Sequence, residues 1–116
     1  MKKIYLFIAI LVASITTFAQ EGVNFRKLTF TEALAQAKQE NKLVFMDCYT
    51  SWCGPCKNMT EKVFPQKAAG DYFNPRFVCV KYDMEKGEGV EVANQFDVHA
   101  YPSLIISRAD GGIYGQ

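Results

Sequence analysis

Cys53 and Cys56, separated by two residues, are the side chains of this 116-residue sequence best suited to carry out a reaction. They follow an apolar run at residues 43–46 and begin a stretch of helical character, so Cys53 is expected at a helix N-terminus. The free N–H groups and the dipole there favour a thiolate, which is the form of cysteine that attacks disulfides. Cys56 lies one turn further along the same face. The spacing therefore predicts an attacking Cys53 and a resolving Cys56.

Two other interpretations of this cysteine pair are weaker. A zinc site needs a second close pair of ligands, whereas Cys48, Cys79 and the only histidine, His99, are isolated along the chain. A purely structural disulfide would close a very short loop, and the stabilisation from a disulfide grows with loop length. Redox chemistry is therefore favoured, and we expect neither a metal nor another cofactor.

Alternating helices and strands are predicted to position the two cysteines. Thr29 with Glu32 three residues later predicts a capped helix that ends near Asn41. The apolar run at 43–46 has the pattern of a strand covered on both faces, and a helix is expected from Cys53 through Val63. The remaining predicted elements are strands at 25–28, 76–84 and 103–107, helices at 67–73 and 90–96, and a final hairpin turning at 110–112. This order predicts the α/β class.

The first 19 residues differ from the rest in composition. Lys2 and Lys3 precede an apolar run at 4–13, and small residues lead up to Gln20, which is the layout of a secretory signal peptide. The apolar run is short for a membrane span. We therefore expect a signal peptide at 1–19, a domain at 20–116 that starts with a loose leader at 20–24, and an exported, periplasmic protein. Without the two lysines the charge is 11 − 12 = −1, and no basic face suggests nucleic-acid binding.

Three segments, in order, resemble those of thioredoxins. Residues 47–57 (DCYTSWCGPCK) resemble the thioredoxin active-site segment, including the aspartate before the first cysteine. Residues 80–83 resemble the third strand with its lysine, and residues 96–103 resemble the segment with the cis-proline. The match runs from about Phe25 to the end of the chain. The sequence is thus identified as a member of the thioredoxin-like family, similar to its exported subgroup and to the C-terminal domain of the membrane disulfide-interchange reductase.

The resemblance implies a thioredoxin fold, a central mixed sheet flanked by helices, and roles for further residues. Asp47 would be a buried acid that takes the Cys56 proton through water, and Lys81 would tune it. The implied substrate-binding residues are Trp52, Gly54, Pro55, Tyr101 and Pro102. On the residues alone, Asp47 can instead cap a loop, Lys81 can be a solvated lysine and Pro102 can simply begin a strand. Thioredoxins continue into another helix, so we expect the domain to be incomplete at its C-terminal end.

The expected function is reduction of protein disulfides outside the cytoplasm by a monomer that receives electrons from a membrane donor of the disulfide-interchange type. A disulfide oxidase or isomerase, and a non-catalytic module that binds clients, are the alternatives. Cys48 and Cys79 are expected to be buried and free, because strand alternation directs them to opposite faces of the sheet if Asp47 and Lys81 are neighbours. His99 is expected at the surface near the site.

Overall fold

The computed structural model describes residues 21–116, so the signal peptide predicted at 1–19 lies outside the described residues. Within residues 21–116, four α-helices and one π-helical segment accompany four strands. The helices are α1 (Phe30–Glu40), α2 (Gly54–Asn58), the π-helical segment (Met59–Val63), α3 (Lys67–Arg76) and α4 (Gly89–Gln95). The strands are β1 (Leu43–Tyr49), β2 (Phe77–Asp83), β3 (Ser103–Ser107) and β4 (Ile113–Gly115). Among residues 21–116, the helices are all too short or too polar to cross a bilayer.

The strands form one mixed sheet in the order β2-β1-β3-β4. β1 is parallel to β2 and antiparallel to β3, and β4 is antiparallel to β3. The predicted α/β class and the final antiparallel hairpin are therefore confirmed. β1 lies inside the sheet, so the loop that follows it leads directly from the buried strand to the cysteine pair.

Side chains from both faces of the sheet are buried, as the apolar runs predicted. On one face Val44, Met46 and Val80 pack with residues of α1 and α4. On the other face Phe45 and Phe77 pack with Phe64, Val23 and partly buried residues of the π-helical segment and α3. Burial on both faces fixes the direction of the C-terminal end of β1, where the candidate site begins.

The capping box predicted for α1 is present. Thr29 Oγ1 accepts a hydrogen bond of 3.1 Å from Glu32 N, and Glu32 Oε1 accepts one of 2.9 Å from Thr29 N. The helix ends at Asn41, which has a left-handed backbone with φ of 55°. Both ends of α1 were thus visible in the sequence.

Three predicted elements were wrong in detail. Residues 25–28 form no strand, because only Phe25 pairs with Cys79 before Leu28 N turns back to bond Arg26 O. The helix after Cys53 becomes π-helical at Met59, where Phe64 N bonds Met59 O five residues earlier. The next helix continues through Pro75 to Arg76. Pro75 lacks the N–H that would bond Asp71 O, and in the same last turn the Arg76 side chain donates to Tyr72 O at 2.7 Å.

The segment before α1 is docked against the domain, which corrects the expectation of a loose leader. Val23 N donates to Phe64 O at 2.8 Å, and Asn74 Nδ2 donates to Gly22 O at 3.0 Å. The close approach depends on Gly70, because a Cβ there would lie 2.5 Å from the carbonyl oxygens of Glu21 and Gly22. The segment thus packs against α3 at a place where a side chain does not fit.

Candidate active site

Cys53 and Cys56 form a disulfide at the N-terminus of α2, with their Cα atoms 5.3 Å apart. Cys53 is the N-cap residue, and its Sγ accepts a hydrogen bond of 3.1 Å from Cys56 N. Pro55 lies in the first turn, where its missing N–H has no intrahelical partner to lose. The sulfur of Cys53 therefore receives the N–H group that a helix start offers to an anion.

Asp47 lies in β1 on the sheet face that bears Lys81, its register partner in β2. Asp47 is only 2% exposed, and this burial raises the pKa of its carboxyl to about 6, although the positive charge of Lys81 lowers it in part. Lys81 itself is exposed, and its Nζ lies 5.4 Å from the centre of the Phe25 ring. The geometry thus places an acid that can exchange a proton near neutral pH close to the end of β1.

Exposed Trp52 and half-buried Tyr101 form an aromatic pair next to Cys53. Trp52 is 65% exposed, and its indole meets the Tyr101 ring edge to face with the centroids 5.8 Å apart. The following Tyr101–Pro102 peptide bond is cis, and Ser103 then begins β3 opposite Cys48. Gly54 and Pro55 are exposed as well. Of the five residues predicted to bind substrate, Trp52, Gly54 and Pro55 adjoin the cysteines along the chain, and Tyr101 joins them through its contact with Trp52. Their role in binding substrate stays a prediction.

Glu85 belongs to the same surface but was missed in the sequence. Its Oε1 accepts a hydrogen bond of 2.7 Å from Trp52 Nε1, which ties the indole to the loop after β2. The sequence showed Glu85 only as one acid in a charged glycine loop, and no spacing rule relates positions 52 and 85. The contact arises because the ends of β1 and β2 meet at one edge of the parallel pair.

Thr50 is a second residue that sequence reasoning missed. It follows β1 directly and is 1% exposed. Within the described residues, neither its Oγ1 nor Asp47 Oδ1 has a hydrogen-bond partner. Burial of an unpaired hydroxyl costs about 1–3 kcal/mol, so such groups call for an explanation. A cavity of about 210 Å³ adjoins Thr50 and is also lined by Cys56 and Lys81.

The other two cysteines are buried and free, as predicted. Cys48 packs in the core on the α1 side of the sheet, whereas Cys79 packs in the core on the opposite side. Burial raises the pKa of each thiol to about 12, which keeps both protonated and unreactive. His99 is exposed and pairs with Asp97. Residues 21–116 bring together no group of three or more side chains able to hold a metal ion.

A disulfide at a helix N-cap, directly after a strand that carries a buried acid in a mixed sheet flanked by helices, is the arrangement found in thiol–disulfide oxidoreductases with a thioredoxin fold. Comparison with protein families agrees, because the family model Thioredoxin matches residues 21–114. The chain therefore belongs to the thioredoxin family.

Known relatives and solved structures are similar over most of the domain. The solution structure of a "putative disulphide-isomerase" from Bacteroides thetaiotaomicron is 50% identical, with a TM-score of 0.71, over 80% of this chain and 77% of that one. Mitochondrial Thioredoxin-3 of Saccharomyces cerevisiae is 35% identical over a match that covers 85% of this chain and 72% of the yeast protein. Thioredoxin-1 of Drosophila yakuba is 32% identical over 60% of each chain. The chain thus spans about three fifths of the length of that last relative.

Proposed function

We propose that this protein is an exported reductase of protein disulfides that works through Cys53 and Cys56. The observation that carries the proposal is the position of Cys53 Sγ, which caps α2 and accepts a hydrogen bond from Cys56 N. The aromatic pair of exposed Trp52 and half-buried Tyr101 offers a surface on which an extended client segment can dock.

The reaction transfers two electrons from the dithiol to the client. The Cys53 thiolate attacks a client disulfide, a mixed disulfide forms, and one client sulfur leaves as a thiolate. Cys56 then loses its proton, for which the carboxylate of Asp47 is the nearby acceptor, and attacks Cys53 Sγ. The Cys53–Cys56 bond forms as the second client thiolate leaves. The client disulfide is thereby reduced and the protein is oxidised.

The surroundings of the cysteines favour this direction. Gly54 and Pro55 add no charge and no side-chain donor between the two sulfurs, so this pair of residues leaves the stabilisation of a thiolate to the helix terminus. A partly ionised Asp47 opposes a second negative charge nearby. Both effects favour the disulfide over the dithiol, which makes the dithiol a good reductant.

The source of electrons is part of the proposal. An oxidising compartment would convert the dithiol to the disulfide after each turnover, so reducing equivalents have to reach the protein from elsewhere. We propose that the signal-peptide pattern at residues 1–19 directs export to the periplasm, and that a membrane donor of the disulfide-interchange type reduces the monomeric protein there.

The reduction potential of the Cys53–Cys56 pair tests the direction. After equilibration with glutathione buffers, we expect a value of roughly −230 to −280 mV, in the range of thioredoxins and reducing glutaredoxins. A value above about −180 mV, which is typical of an isomerase, would contradict the reductase proposal.

Disulfide isomerisation is the second candidate, and the description of the similar Bacteroides thetaiotaomicron protein as a "putative disulphide-isomerase" favours it. The two candidates differ in what they do to a scrambled client in the absence of an external reductant. An isomerase restores activity to scrambled ribonuclease when present in catalytic amounts. A reductase consumes its own dithiol once, and we expect no further recovery.

A further inference from the structure

We propose that the Thr50 hydroxyl holds the water molecule through which Cys56 passes its proton to Asp47. The inference rests on the proposed function, because it concerns the step in which Cys56 resolves the mixed disulfide. It makes Thr50 a positioning residue, which touches neither the client nor the sulfurs.

Two buried polar atoms in the described part of the chain carry the inference. Thr50 Oγ1 and Asp47 Oδ1 are the buried side-chain atoms without a hydrogen-bond partner among residues 21–116. The two residues lie three positions apart at the end of β1. The chain turns directly after Thr50, where Cys53 N donates a hydrogen bond of 3.3 Å to Thr50 O. A hydroxyl can donate and accept at once, so it can hold a water that faces a carboxylate on one side and a thiol on the other.

The cavity next to Thr50 supplies the space for a water molecule. Its volume of about 210 Å³ is well above the ~10–15 Å³ that one water needs. Thr50 and Cys56 both line it, and so do Tyr49 and Lys81, which share a sheet face with Asp47. A water inside the cavity can therefore contact the hydroxyl and the resolving sulfur. Asp47 lies on the sheet face whose Tyr49 and Lys81 line the cavity, which is the side from which its carboxyl would accept the proton.

The proton balance of the step is simple. The Cys56 Sγ–H bond breaks, its proton passes to the water, and the water passes one of its own protons to the Asp47 carboxylate. The Cys56 thiolate then forms the S–S bond to Cys53 while the bond from Cys53 to the client breaks. Thr50 keeps its proton throughout and only fixes the position of the water.

The test is a comparison of Thr50→Val with the unchanged protein in single-turnover reaction with 5,5′-dithiobis(2-nitrobenzoate). Attack by Cys53 releases the first coloured thiolate and resolution by Cys56 releases the second, so the two steps are read separately. In Thr50→Val we expect resolution near neutral pH to slow about fivefold to tenfold, the rate equivalent of one hydrogen bond. The attack phase is expected to change by less than about twofold.

The pH profile separates this role from a merely structural one. Above the ordinary thiol pKa of about 8.5, hydroxide removes the Cys56 proton directly, so the ratio of the two resolution rates should approach one. Other charged or titratable groups face the cavity from β1, β2, α2 and the π-helical segment, but they are common to both proteins and cancel in the ratio. These groups are Tyr49, Lys81, Lys57 and Glu61.

Three control variants complete the experiment. Thr50→Ser keeps the hydroxyl and should resolve within about twofold of the normal rate. Thr60→Val makes the same chemical change at an exposed residue of the same cavity and should have no effect. In an Asp47→Asn background, Thr50→Val should slow resolution no further, because the path it serves is already lost. If Thr50→Val does not fold, Thr50→Ala replaces it, with Thr50→Ser as the folded reference.

The outcomes distinguish this inference from the proposed function. Normal resolution in Thr50→Val, slowing that is equal at every pH, or slowing that multiplies with that of Asp47→Asn would overturn the role of Thr50 while leaving Asp47 in place. Normal resolution in Asp47→Asn would remove the acid from the proposed mechanism and the inference with it. The direction of electron flow is measured by the reduction potential and does not depend on any of these results.

Discussion

Asp47 ties the stability of the domain to the chemistry of its site. Its carboxyl is buried, and its pKa of about 6 lies above the unfolded value of 3.8. Between these values the native state holds a proton that the unfolded state has lost, so stability falls as pH rises through this window. Above pH 6 the loss is complete. The protein therefore keeps an acid that destabilises it at neutral pH.

We predict that Asp47→Asn stabilises the oxidised protein near neutral pH, because the amide has no charge to bury. Removing the buried charge should raise the free energy of unfolding on the order of 2–3 kcal/mol, which is the free-energy equivalent of the raised pKa. Urea denaturation at about pH 7 and about pH 4 measures it, and the difference should largely vanish at the lower pH. A gain of the same size at both pH values would mean that charge burial is not its cause.

Replacing Cys53 and replacing Cys56 should have different effects on the mixed disulfide with a client protein. Because Cys53 Sγ lies at the helix start, we predict that Cys56→Ser traps mixed disulfides with client proteins at Cys53. Cys53→Ser should trap almost none. Non-reducing electrophoresis followed by mass spectrometry identifies the linked cysteine, and Cys48→Ser serves as a control that leaves the pair intact. Equal trapping by both active-site variants would contradict the assignment of Cys53 as the nucleophile.

At the level of single residues, the sequence indicated those that share a motif with their neighbours and missed those that meet only in space. Cys53 and Cys56 lie within four positions, and Asp47 precedes them at a distance typical of thioredoxins. Glu85 is far from Trp52 along the chain, so only the sheet register brings the carboxylate to the indole. Thr50 looks like an ordinary loop residue until its burial is known.

Among the elements, α3 and the docked segment before α1 meet through a contact that leaves no room for a side chain. Gly70 lies in α3 against the carbonyl groups of Glu21 and Gly22. We predict that Gly70→Ala destabilises the protein by about 1–3 kcal/mol, because overpacking against rigid backbone exceeds the gain of about 1 kcal/mol in helix propensity.

Gly54→Ala is the matched control for this stability measurement. Gly54 is also helical, but a Cβ there would meet nothing within 4 Å, so the change should be neutral or slightly stabilising. Thermal and urea denaturation of the two variants give the comparison. Equal stability of the two variants would show that the segment at residues 21–24 can move away from α3 without reducing the free energy of unfolding.

Element prediction succeeded where local chemistry determines the outcome. The capping box of α1 and the strand at 103–107 could be read directly, because capping and apolar runs act over a few residues. The π-helical turn at Met59 and the continuation of α3 through Pro75 could not. Both break local preferences, and both are held by contacts with other parts of the fold, such as the bonds from Asn74 to the docked segment.

For the molecule as a whole, the reactivity of the two free cysteines measures how often the core on each face of the sheet opens. Cys48 and Cys79 lie on neighbouring strands but on different faces of the sheet. We predict that a thiol-alkylating reagent modifies both at the same slow rate under native conditions, because exposing either requires the sheet to open. Mass spectrometry of digested protein after timed labelling measures the two rates. Much faster labelling of Cys79 would mean that the face covered by α3 opens by itself.

The burial of Cys48 and Cys79 also makes unfolding of the oxidised protein irreversible. Once the sheet opens, the thiols of Cys48 and Cys79 lose the protection that kept them protonated and out of reach, and they can attack the disulfide between Cys53 and Cys56. Each exchange keeps one disulfide and two thiols but replaces the native pairing, and a resulting Cys48–Cys79 bond would join residues that lie on opposite faces of the native sheet. The working life of the oxidised protein is then governed by how often the sheet opens, rather than by the balance between folded and unfolded chains.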